Sequence, residues 1–329
     1  MVTSGGTEAR IVFSGRESAA LESFRPDDAP LADDEVAGRT VVSLLSAGTE
    51  IALYKQERST PLHPGYAAVF RVERVGRGVA ALAPGDLAFC MGPHQSTQRL
   101  KAHDALRLPE GLAPETAVFA RMANMALTAI ATTAARPPQL AFVCGLGLIG
   151  LVSAQALRLC GYTVLASDPS ETRRRLAQAA GIERLYPDVP TDDPDVAGRV
   201  SLFLDCTGRE RSVLDGCRIV HRGGEVSLIG VPWEQRSAEP AHELISLVFH
   251  RYVRLRSGWE WELPLRAERD GQPNIGDNLR AALSWLADGR LRVDGLAEVA
   301  LPQDAAATYR RIAERRRDKL ATVFDWRRN

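Results

Sequence analysis

The sequence has few cysteines and no excess of charge of either sign. Its five cysteines are widely spaced and form no Cys-x-x-Cys pair. This pattern argues against a disulfide framework and a cysteine-built zinc cluster, and it favours a reducing cytoplasm. Lys plus Arg and Asp plus Glu each total 41, so the formal net charge is zero. A neutral chain without a basic stripe is not expected to bind nucleic acid.

The sequence also lacks a long uninterrupted hydrophobic run. The polar stretch from Met1 to Arg10 has no apolar core of a signal peptide. The most apolar window, 140–159, contains Gln155, Arg158 and regularly spaced glycines, which suit a strand, a turn and a helix better than a membrane span. We therefore expect a soluble cytoplasmic protein that has no membrane partner.

The spacing of apolar residues changes along the chain. Before about Pro109, short apolar runs separated by Gly, Pro and Asp predict a β-rich domain. From Leu140, strand-like runs alternate with helical ones, which is typical of a parallel, doubly wound α/β sheet. The pattern becomes mixed again after Gly258. We predict a β-rich domain, an inserted nucleotide-binding domain and a return to the first domain, over residues 1–120, 121–265 and 266–329.

The most specific motif is a glycine-rich turn, GLGLIG at 145–150, between an apolar strand and an amphipathic helix. In such a turn Gly145 permits the tight bend, Gly147 lets a pyrophosphate approach the backbone, and Gly150 lets the helix pack on the strand. The N–H groups at the helix start, including those of Leu148 and Ile149, attract phosphate. The motif predicts dinucleotide binding, and the alternative is a glycine-rich turn without a ligand.

The choice of cofactor depends on the end of the next strand. Asp168 stands where a carboxylate accepts hydrogen bonds from the adenosine ribose and repels a 2′-phosphate. It favours NAD over NADP. Arg173, Arg174 and Arg175 are the opposing observation, because any of them could reach a 2′-phosphate. The alternative interpretation of these arginines is a solvated helix face.

These features resemble the medium-chain dehydrogenase/reductase superfamily, which includes zinc alcohol dehydrogenases and quinone reductases. GYAAVFRVERVG at 65–76 has the spacing of that family's GHExxGxVxxVG segment, and SAGTE at 46–50 resembles its Cys-Gly-Thr-Asp segment. PGD at 84–86 and DCTG at 205–208 resemble two further landmarks. The resemblance implies a GroES-like catalytic domain, a Rossmann domain, hydride transfer on a small-molecule substrate, and a homodimer.

The sequence departs from the zinc-dependent members at every ligand position. Their cysteine, histidine and third ligand fall on Ala47, Tyr66 and Asn124. Alanine has no donor atom, and phenol and amide oxygens are poor zinc ligands. The region 89–104, where the family has its four-cysteine structural zinc loop, contains only Cys90. We therefore expect a zinc-free member with no metal site.

Without a metal, another group must assist the reacting oxygen. Tyr66 is the candidate, because a phenol with a pKa of about 10 donates a hydrogen bond at neutral pH. Its alternative role is a cleft-lining aromatic. Thr49 matches a proton-relaying hydroxyl of zinc-dependent relatives, Glu50 is a candidate base or ribose contact, and Asn124 is a candidate substrate contact. Backbone capping or structural roles are the alternatives for these three residues.

The resemblance also implies further cofactor contacts. Thr128 falls where the family packs a threonine on the nicotinamide, and Val231 where backbone groups hold the carboxamide. Lys319 resembles a basic residue that reaches the pyrophosphate. Arg173, and Thr207 within the DCTG segment, complete the set of predicted cofactor-binding residues.

Together these observations predict a zinc-independent NAD(P)(H)-dependent oxidoreductase that interconverts a secondary alcohol and a ketone on a small metabolite. Two alternatives stay open. One is reduction of an enoyl or quinone-type C=C bond, which needs only hydrogen-bond stabilisation of an enolate. The other is a non-redox enzyme or nucleotide-binding regulator on the same fold.

Overall fold

The computed structural model describes residues 8–316 and 318–327, and the chain forms two compact units. The first unit contains the chain up to Arg121 together with the residues from Val293 onward. The second unit is Met122–Arg292. The chain therefore leaves the first unit and returns to it after the second.

Strands dominate the first unit. Its elements before the chain leaves it are β1 (Glu8–Gly15), β2 (Ser18–Phe24), β3 (Glu35–Leu45), α1 (Ala47–Tyr54), β4 (Ala68–Val75), β5 (Leu87–Cys90), β6 (Thr97–Lys101), β7 (Leu106–Arg107) and α2 (Pro114–Ala117). β1 and β2 form a separate antiparallel pair. β3 pairs with β4 and β6 and forms the centre of a larger, mostly antiparallel sheet.

The second unit contains a parallel sheet with helices between its strands. Its elements are α3 (Ala120–Thr132), β8 (Leu140–Cys144), α4 (Leu148–Leu159), β9 (Thr163–Ser167), α5 (Glu171–Ala179), β10 (Arg184–Tyr186), β11 (Val200–Asp205), α6 (Glu210–Ile219), β12 (Val220–Leu228), α7 (Ala241–Arg251), β13 (Arg254–Ser257) and α8 (Ile275–Ala287). The strand order is β10-β9-β8-β11-β12-β13, and every pair is parallel. This is the doubly wound order of a dinucleotide-binding sheet, which confirms the predicted fold class.

Three elements return to the first unit: β14 (Ala297–Ala300), α9 (Ala305–Ala313) and β15 (Ala321–Asp325). β15 pairs antiparallel with β3, and the sheet order is β14-β15-β3-β4-β5-β7. The run Val41–Leu45 of β3 is buried throughout rather than alternating with exposed residues, as expected of a strand that is covered on both faces. This burial places the hydroxyl of Ser43 inside the unit.

The core of the second unit explains why its strands are continuous apolar runs. Phe142 and Phe203 from the neighbouring strands β8 and β11 stack with ring centroids 5.5 Å apart. Both rings are fully buried, as are Leu165 and Val226 on the next strands. Helices cover the sheet, and α4 is buried along most of its length. A parallel sheet covered in this way needs apolar residues on both faces.

The second unit extends beyond the predicted boundary at 265. Asn278 of α8 donates to Asn124 Oδ1 of α3 at 3.1 Å. Gln155 of α4 exchanges two hydrogen bonds with the backbone of Arg292, at 2.8 and 3.0 Å. These hydrogen bonds hold the segment after residue 265 on the second unit. The spacing of apolar residues, from which the boundary was predicted, carries no information about such polar contacts.

A buried carboxylate links the sheet of the second unit to the end of α3. Glu225 of β12 accepts hydrogen bonds from Thr133 Oγ1 at 2.5 Å and from the Ala134 amide at 3.1 Å. Arg254 and Arg256 of β13 pair with it at 3.3 and 3.4 Å. Burial by itself raises the pKa of Glu225, but these hydrogen bonds and positive charges outweigh it and lower the pKa.

Candidate dinucleotide and catalytic sites

The glycine turn that follows β8 has the backbone that its sequence predicts. Gly145 has φ +89°, in the left-handed region that favours glycine. A Cβ atom built on Gly150 would lie 1.7 Å from the Gly145 carbonyl oxygen. The turn and the close packing of α4 on the strand therefore require glycine at both positions.

Gly147 differs from these two glycines because it borders open space. It is the N-cap of α4 at φ −65°, and within the described chain no side chain caps this helix end. A Cβ built on Gly147 meets no atom of the described residues within 4 Å beyond its chain neighbours. The N–H groups of the first helical turn have no acceptor within a helix. An open space beside an uncapped helix start fits the pyrophosphate of a dinucleotide.

Asp168 lies beside this turn, directly after β9. Its side chain is buried, and it accepts hydrogen bonds from the Leu146 amide at 2.8 Å and the Ser170 amide at 2.9 Å. Arg173 Nη1 lies 3.2 Å from Asp168 Oδ2. The carboxylate is therefore held at the glycine turn, with one arginine partly balancing its charge.

The other two arginines of α5 have different local partners. Arg174 donates to the backbone carbonyl of Asp168 at 2.6 Å. Arg175 pairs with Glu171, one helical turn away, at 2.5 Å. Arg173 is thus the member of the three that contacts the Asp168 carboxylate.

A second acidic residue organises the loop after β11. Asp205 is fully buried and accepts hydrogen bonds from Thr207 Oγ1 at 2.6 Å and from the Gly208 amide at 3.0 Å. Burial raises its pKa, against the effect of these bonds. Thr207 packs closely on the glycine turn, because a Cβ built on Gly145 would lie only 2.7 Å from Thr207 Cγ2. Val231, after the neighbouring strand, is half exposed.

Asn124 and Thr128 lie in a buried polar cluster of the second unit. Asn124 is fully buried, and its amide donates to Glu260 Oε2 at 2.6 Å. Asn278 donates to Asn124 Oδ1 at 3.1 Å and to Thr128 Oγ1 at 3.4 Å. The orientation of the Asn124 amide is therefore set by a carboxylate on one side and an amide on the other. Sequence reasoning missed Glu260 and Asn278, which follow β13 and belong to no motif.

In the first unit, Tyr66 is surrounded by polar and charged groups. The Arg121 guanidinium lies over its ring, with Cζ 4.8 Å from the centroid. Burial is the largest influence on the phenol and raises its pKa. The hydroxyls of Ser46 and Thr49 and the charge of Arg121 lower the pKa, whereas the charge of Glu50 raises it; the net direction is upward. Tyr66 is a neutral phenol at pH 7.

Glu50 is buried beneath the start of α1 with three donors around it. Its Oε1 accepts from the Ser46 amide at 2.7 Å. Its Oε2 lies 3.1 Å from His94 Nε2 and 2.5 Å from the Tyr309 hydroxyl. Glu50 is 1% exposed, and His94 and Tyr309 are fully buried. Neither His94 nor Tyr309 belongs to a sequence motif, so no signal in the sequence indicated these two contacts.

The donor set of the described residues does not suit zinc. Ala47 presents a methyl group, and residues 8–316 and 318–327 contain no group of three or more His, Cys, Asp or Glu that could hold a metal ion. All five cysteines are free. Burial raises the pKa of Cys90 and of Cys217 to about 12. Buried neutral thiols are poor metal ligands and nucleophiles.

Two further observations concern the position of Lys319 and the length of the helices. Lys319 is exposed and lies just before β15 in the first unit. In the part of the chain that the structure describes, no helix is long and apolar enough to cross a membrane.

Comparison with known proteins identifies the fold and the family. A family model described as zinc-binding dehydrogenase matches residues 149–256, within the second unit. An L-threonine 3-dehydrogenase from Thermococcus kodakarensis is 33% identical over 139 residues, which are 40% of this chain and 39% of that protein. The match thus spans about two fifths of that relative's length.

Solved structures match over nearly the whole chain. Galactitol-1-phosphate dehydrogenase from Escherichia coli superposes with a TM-score of 0.81 at 17% identity, covering 96% of this chain and 99% of that one. A Sinorhizobium meliloti 1021 protein described as a zinc-binding dehydrogenase and solved with NADP has a TM-score of 0.76 at 18% identity, covering 97% and 99%.

The parallel sheet, the glycine turn and these matches define a protein with a GroES-like unit and a Rossmann unit. The second unit thus resembles the zinc-binding dehydrogenases that the family model describes, and the chain as a whole has the fold of the medium-chain dehydrogenase/reductase superfamily. The resemblance found in the sequence motifs is thereby confirmed at the level of the superfamily and the fold.

Proposed function

We propose that the chain is a zinc-independent, NAD(P)(H)-dependent oxidoreductase that interconverts a secondary alcohol and a ketone on a small metabolite. The observation that carries the proposal is the open space at Gly147, beside an uncapped helix start and the buried Asp168 carboxylate. Its superfamily supplies the general class of reaction. The five free cysteines suit the reducing cytoplasm, where we place the protein.

A bound nicotinamide dinucleotide would supply the hydride donor or acceptor for this reaction. The amides of Leu148 and Ile149 would hold the pyrophosphate at the start of α4, and Asp168 would accept hydrogen bonds from the adenosine ribose. Thr207 supports the glycine turn from the neighbouring loop. We further assign the residues that the family resemblance implies as contacts, which are Thr128, Val231 and Lys319.

We propose NAD as the preferred cofactor. A 2′-phosphate next to Asp168 would place negative charge beside a buried carboxylate, which is unfavourable. Arg173 reduces this repulsion because it pairs with the same carboxylate at 3.2 Å. Its guanidinium is already engaged there, so it is less suited to bind a phosphate as well.

The proposal of zinc independence is supported by the residues at the positions where the family resemblance expects the catalytic metal's ligands. Ala47 has no donor, and the amide of Asn124 is held by Glu260 and Asn278. In place of a metal, we assign Tyr66 as the hydrogen-bond donor to the reacting oxygen, with Thr49 as a neighbouring hydroxyl. The raised pKa of Tyr66, caused mainly by burial, keeps the phenol in the donor form.

The same neutral phenol favours a second candidate reaction, the reduction of an enoyl or quinone-type C=C bond. Hydride then adds to carbon, and the carbonyl oxygen gains negative charge that a hydrogen-bond donor stabilises. The Tyr66→Phe variant discriminates between the two. Near-total loss of turnover is expected for alcohol–ketone interconversion, whereas enone reduction would retain more activity.

We also propose a homodimer, with the exposed edge of the second unit as the contact. β13 is the last strand of the parallel sheet, and Leu255 on it is exposed. α7 has no buried residue and exposes Ile245 and Phe249. An exposed strand edge with apolar neighbours favours pairing with another chain. Sedimentation velocity would detect the dimer, and a monomer at micromolar concentration would contradict it.

The experiment that tests the oxidoreductase proposal is a titration of the purified, metal-analysed protein with NADH and NADPH, followed by tryptophan fluorescence. We expect NADH to bind more tightly than NADPH and zinc to be substoichiometric. Screening of secondary alcohols, ketones and enones for nicotinamide turnover then identifies the reaction. Failure of both dinucleotides to bind would refute the proposal.

A further inference from the structure

Three tryptophans of the second unit are exposed at one end of its parallel sheet. Trp233 follows β12, and Trp259 and Trp261 follow β13. Their exposed fractions are 43%, 68% and 49%. Because β12 and β13 run parallel, with Leu228 and Ser257 as register partners, both segments leave the sheet at the same edge. This edge is formed by the carboxyl ends of the strands, where open α/β sheets bind their ligands.

The turn after β13 is anchored by the residue between its two tryptophans. Glu260 is only 4% exposed, and its Oε2 accepts a hydrogen bond from Asn124 Nδ2 of α3 at 2.6 Å. The Trp259 amide donates to Ser257 Oγ at 3.1 Å, which holds the start of the turn. Since Glu260 is the inward-facing residue, the indoles of Trp259 and Trp261 on either side of it stay exposed.

The same turn lies beside residues that we assign to the nicotinamide end of the cofactor. A Cβ built on Gly258 would lie 2.8 Å from Ile229 Cγ1, so the turn packs directly on the segment that leaves β12. Val231 belongs to that segment and is half exposed. Asn124, which anchors the turn, is about one helical turn from Thr128 on α3. The indoles therefore border the part of the second unit to which we assign the reacting end of the cofactor.

The side chains around the indoles favour a flat apolar ligand over a polyhydroxylated one. The exposed Val231 adds apolar surface. The neighbouring carboxylates are already engaged, because Glu262 pairs with Arg256 at 2.6 Å and Glu234 pairs with Arg236 at 3.4 Å. Indole rings offer large apolar faces that prefer offset stacking or edge contact with other aromatic rings. A sugar or polyol would need hydrogen-bonding groups at this surface, and the nearby charged groups are engaged with each other.

We propose that Trp259 and Trp261, together with Trp233, form a stacking surface for the substrate, and that the substrate carries its carbonyl or alcohol group on a planar, conjugated ring system. This rests on the proposed oxidoreductase function, because it places the ring beside the reacting end of the cofactor. Stacking fixes the plane of the ring and so orients the carbonyl for hydride transfer. Tryptophan supplies this contact area at a low cost in side-chain entropy. The indoles thus select substrates by the flatness of the ring as well as by its apolar area.

The experiment compares two ketones that differ in the flatness of their rings. Methyl naphthyl ketone is planar, whereas methyl decalyl ketone has the same carbon skeleton with saturated, puckered rings. The saturated ketone exposes at least as much apolar surface, so burial alone would favour it. Calorimetric titration of the full-length protein with oxidised NAD present measures both dissociation constants without turnover. We expect the planar ketone to bind more tightly than the saturated one.

Substitutions of single aromatic residues show which rings are responsible. Trp259→Leu and Trp261→Leu keep apolar bulk without an aromatic face, and each should reduce the preference for the planar ketone roughly 2- to 10-fold. Trp259→Phe keeps an aromatic face and should retain most of the preference. Phe249→Leu is the matched control, because Phe249 is exposed near the end of α7, toward the opposite end of β13. It should leave the preference unchanged.

Several results would overturn the proposal. One is failure of the planar ketone to bind, or equal or tighter binding of the saturated ketone. Another is an unchanged preference in both leucine variants. Sedimentation velocity of the same variants tests a subunit contact instead, and loss of a dimer with unchanged ring preference would assign the indoles to that contact. Because both tryptophans are exposed, we expect the leucine variants to fold, as judged by circular dichroism, and either variant alone suffices for the test.

Titration of the wild type with NADH separates this proposal from the oxidoreductase function on which it rests. A protein that binds no dinucleotide but still prefers the planar ketone would refute the oxidoreductase and retain the stacking surface. A protein that binds NADH and shows no preference between the two ketones would refute the stacking surface alone.

Discussion

Replacing Gly147 by alanine should abolish tight cofactor binding while leaving the fold intact. The new methyl group would enter the open space at the start of α4, where nothing of the described chain lies within 4 Å of it beyond the chain neighbours. A pyrophosphate held there would be pushed away from the helix N–H groups. A hydrogen bond to a charged group contributes about 1.5–3 kcal/mol, so loss of one bond weakens NADH binding roughly 10- to 100-fold.

The stability of this variant should change little, for reasons that the backbone supplies. Gly147 has φ −65° and ψ −172°, a conformation open to alanine. Loss of glycine reduces the entropy of the unfolded chain, which stabilises by about 0.4–1 kcal/mol. Alanine is a poorer N-cap than glycine by a comparable amount, on the order of 1 kcal/mol. The two effects oppose each other, and the melting temperature should stay near that of the wild type.

Gly150→Ala is the matched variant of the same turn. Its Cβ would lie 1.7 Å from the Gly145 carbonyl oxygen, so the backbone must move. We expect loss of NADH binding together with a stability loss of about 1–3 kcal/mol. Gly15→Ala, in open space in the first unit, should bind NADH as the wild type does. Fluorescence titration and thermal unfolding measure both properties. Wild-type affinity for NADH in Gly147→Ala would refute the assignment of this turn to the pyrophosphate.

Three further predictions concern the cofactor, the fold and the metal. Asp168→Asn should lower the ratio of the NADPH dissociation constant to the NADH dissociation constant about tenfold, because the neutral amide no longer repels a 2′-phosphate. An unchanged ratio would show that Asp168 does not set the preference for NADH over NADPH. Glu225→Gln should lower the free energy of unfolding by about 1–3 kcal/mol at pH 7, since it removes the charge of a buried carboxylate that pairs with Arg256, which is 23% exposed, and with Arg254, which is 60% exposed. Burial raises the pKa of Glu225 in the folded state, but its hydrogen bonds and these charges outweigh burial and lower the pKa. The ionised carboxylate therefore stabilises the fold above the ordinary glutamate pKa of about 4.3. This stabilisation is lost as pH falls through the lower pKa of the folded state. Denaturant unfolding at several pH values should therefore show wild type and variant converging in acid, and a constant difference would contradict the linkage. Prolonged dialysis against a zinc chelator should leave turnover unchanged, and activity that is lost on chelation and restored by zinc would refute zinc independence.

Local sequence pattern was sufficient for the architecture of the second unit. The run GLGLIG encodes its own backbone, because Gly145 needs a positive φ and Gly150 needs the absence of a Cβ. Strands that are covered on both faces must be apolar along their length, which is why alternating strand and helix runs predict a parallel sheet. The fold class followed from these short-range requirements.

The polar networks depended on contacts between distant parts of the chain. Asn124 and Glu260 are 136 positions apart in sequence, and Glu50 and Tyr309 are 259 apart. A hydrogen bond requires atoms within about 3 Å, and which distant residues meet that condition is decided by how helices, turns and strands pack in the fold. The pairing of β15 with β3 fixes the segment that carries Trp326 beside Ser43.

The sequence by itself therefore determined the two kinds of unit and the glycine turn that Asp168 follows, and it predicted that the positions of the family's zinc ligands carry residues that do not bind zinc. Only the tertiary structure decided that the buried carboxyl group of Glu50 meets His94 and Tyr309, and that Asp168 is tied to the turn and to Arg173. The physical reason is the distance along the chain over which each of these properties is determined. Backbone conformation and burial pattern act over a few residues, whereas the charge state and orientation of a side chain depend on whatever the fold places within hydrogen-bonding distance.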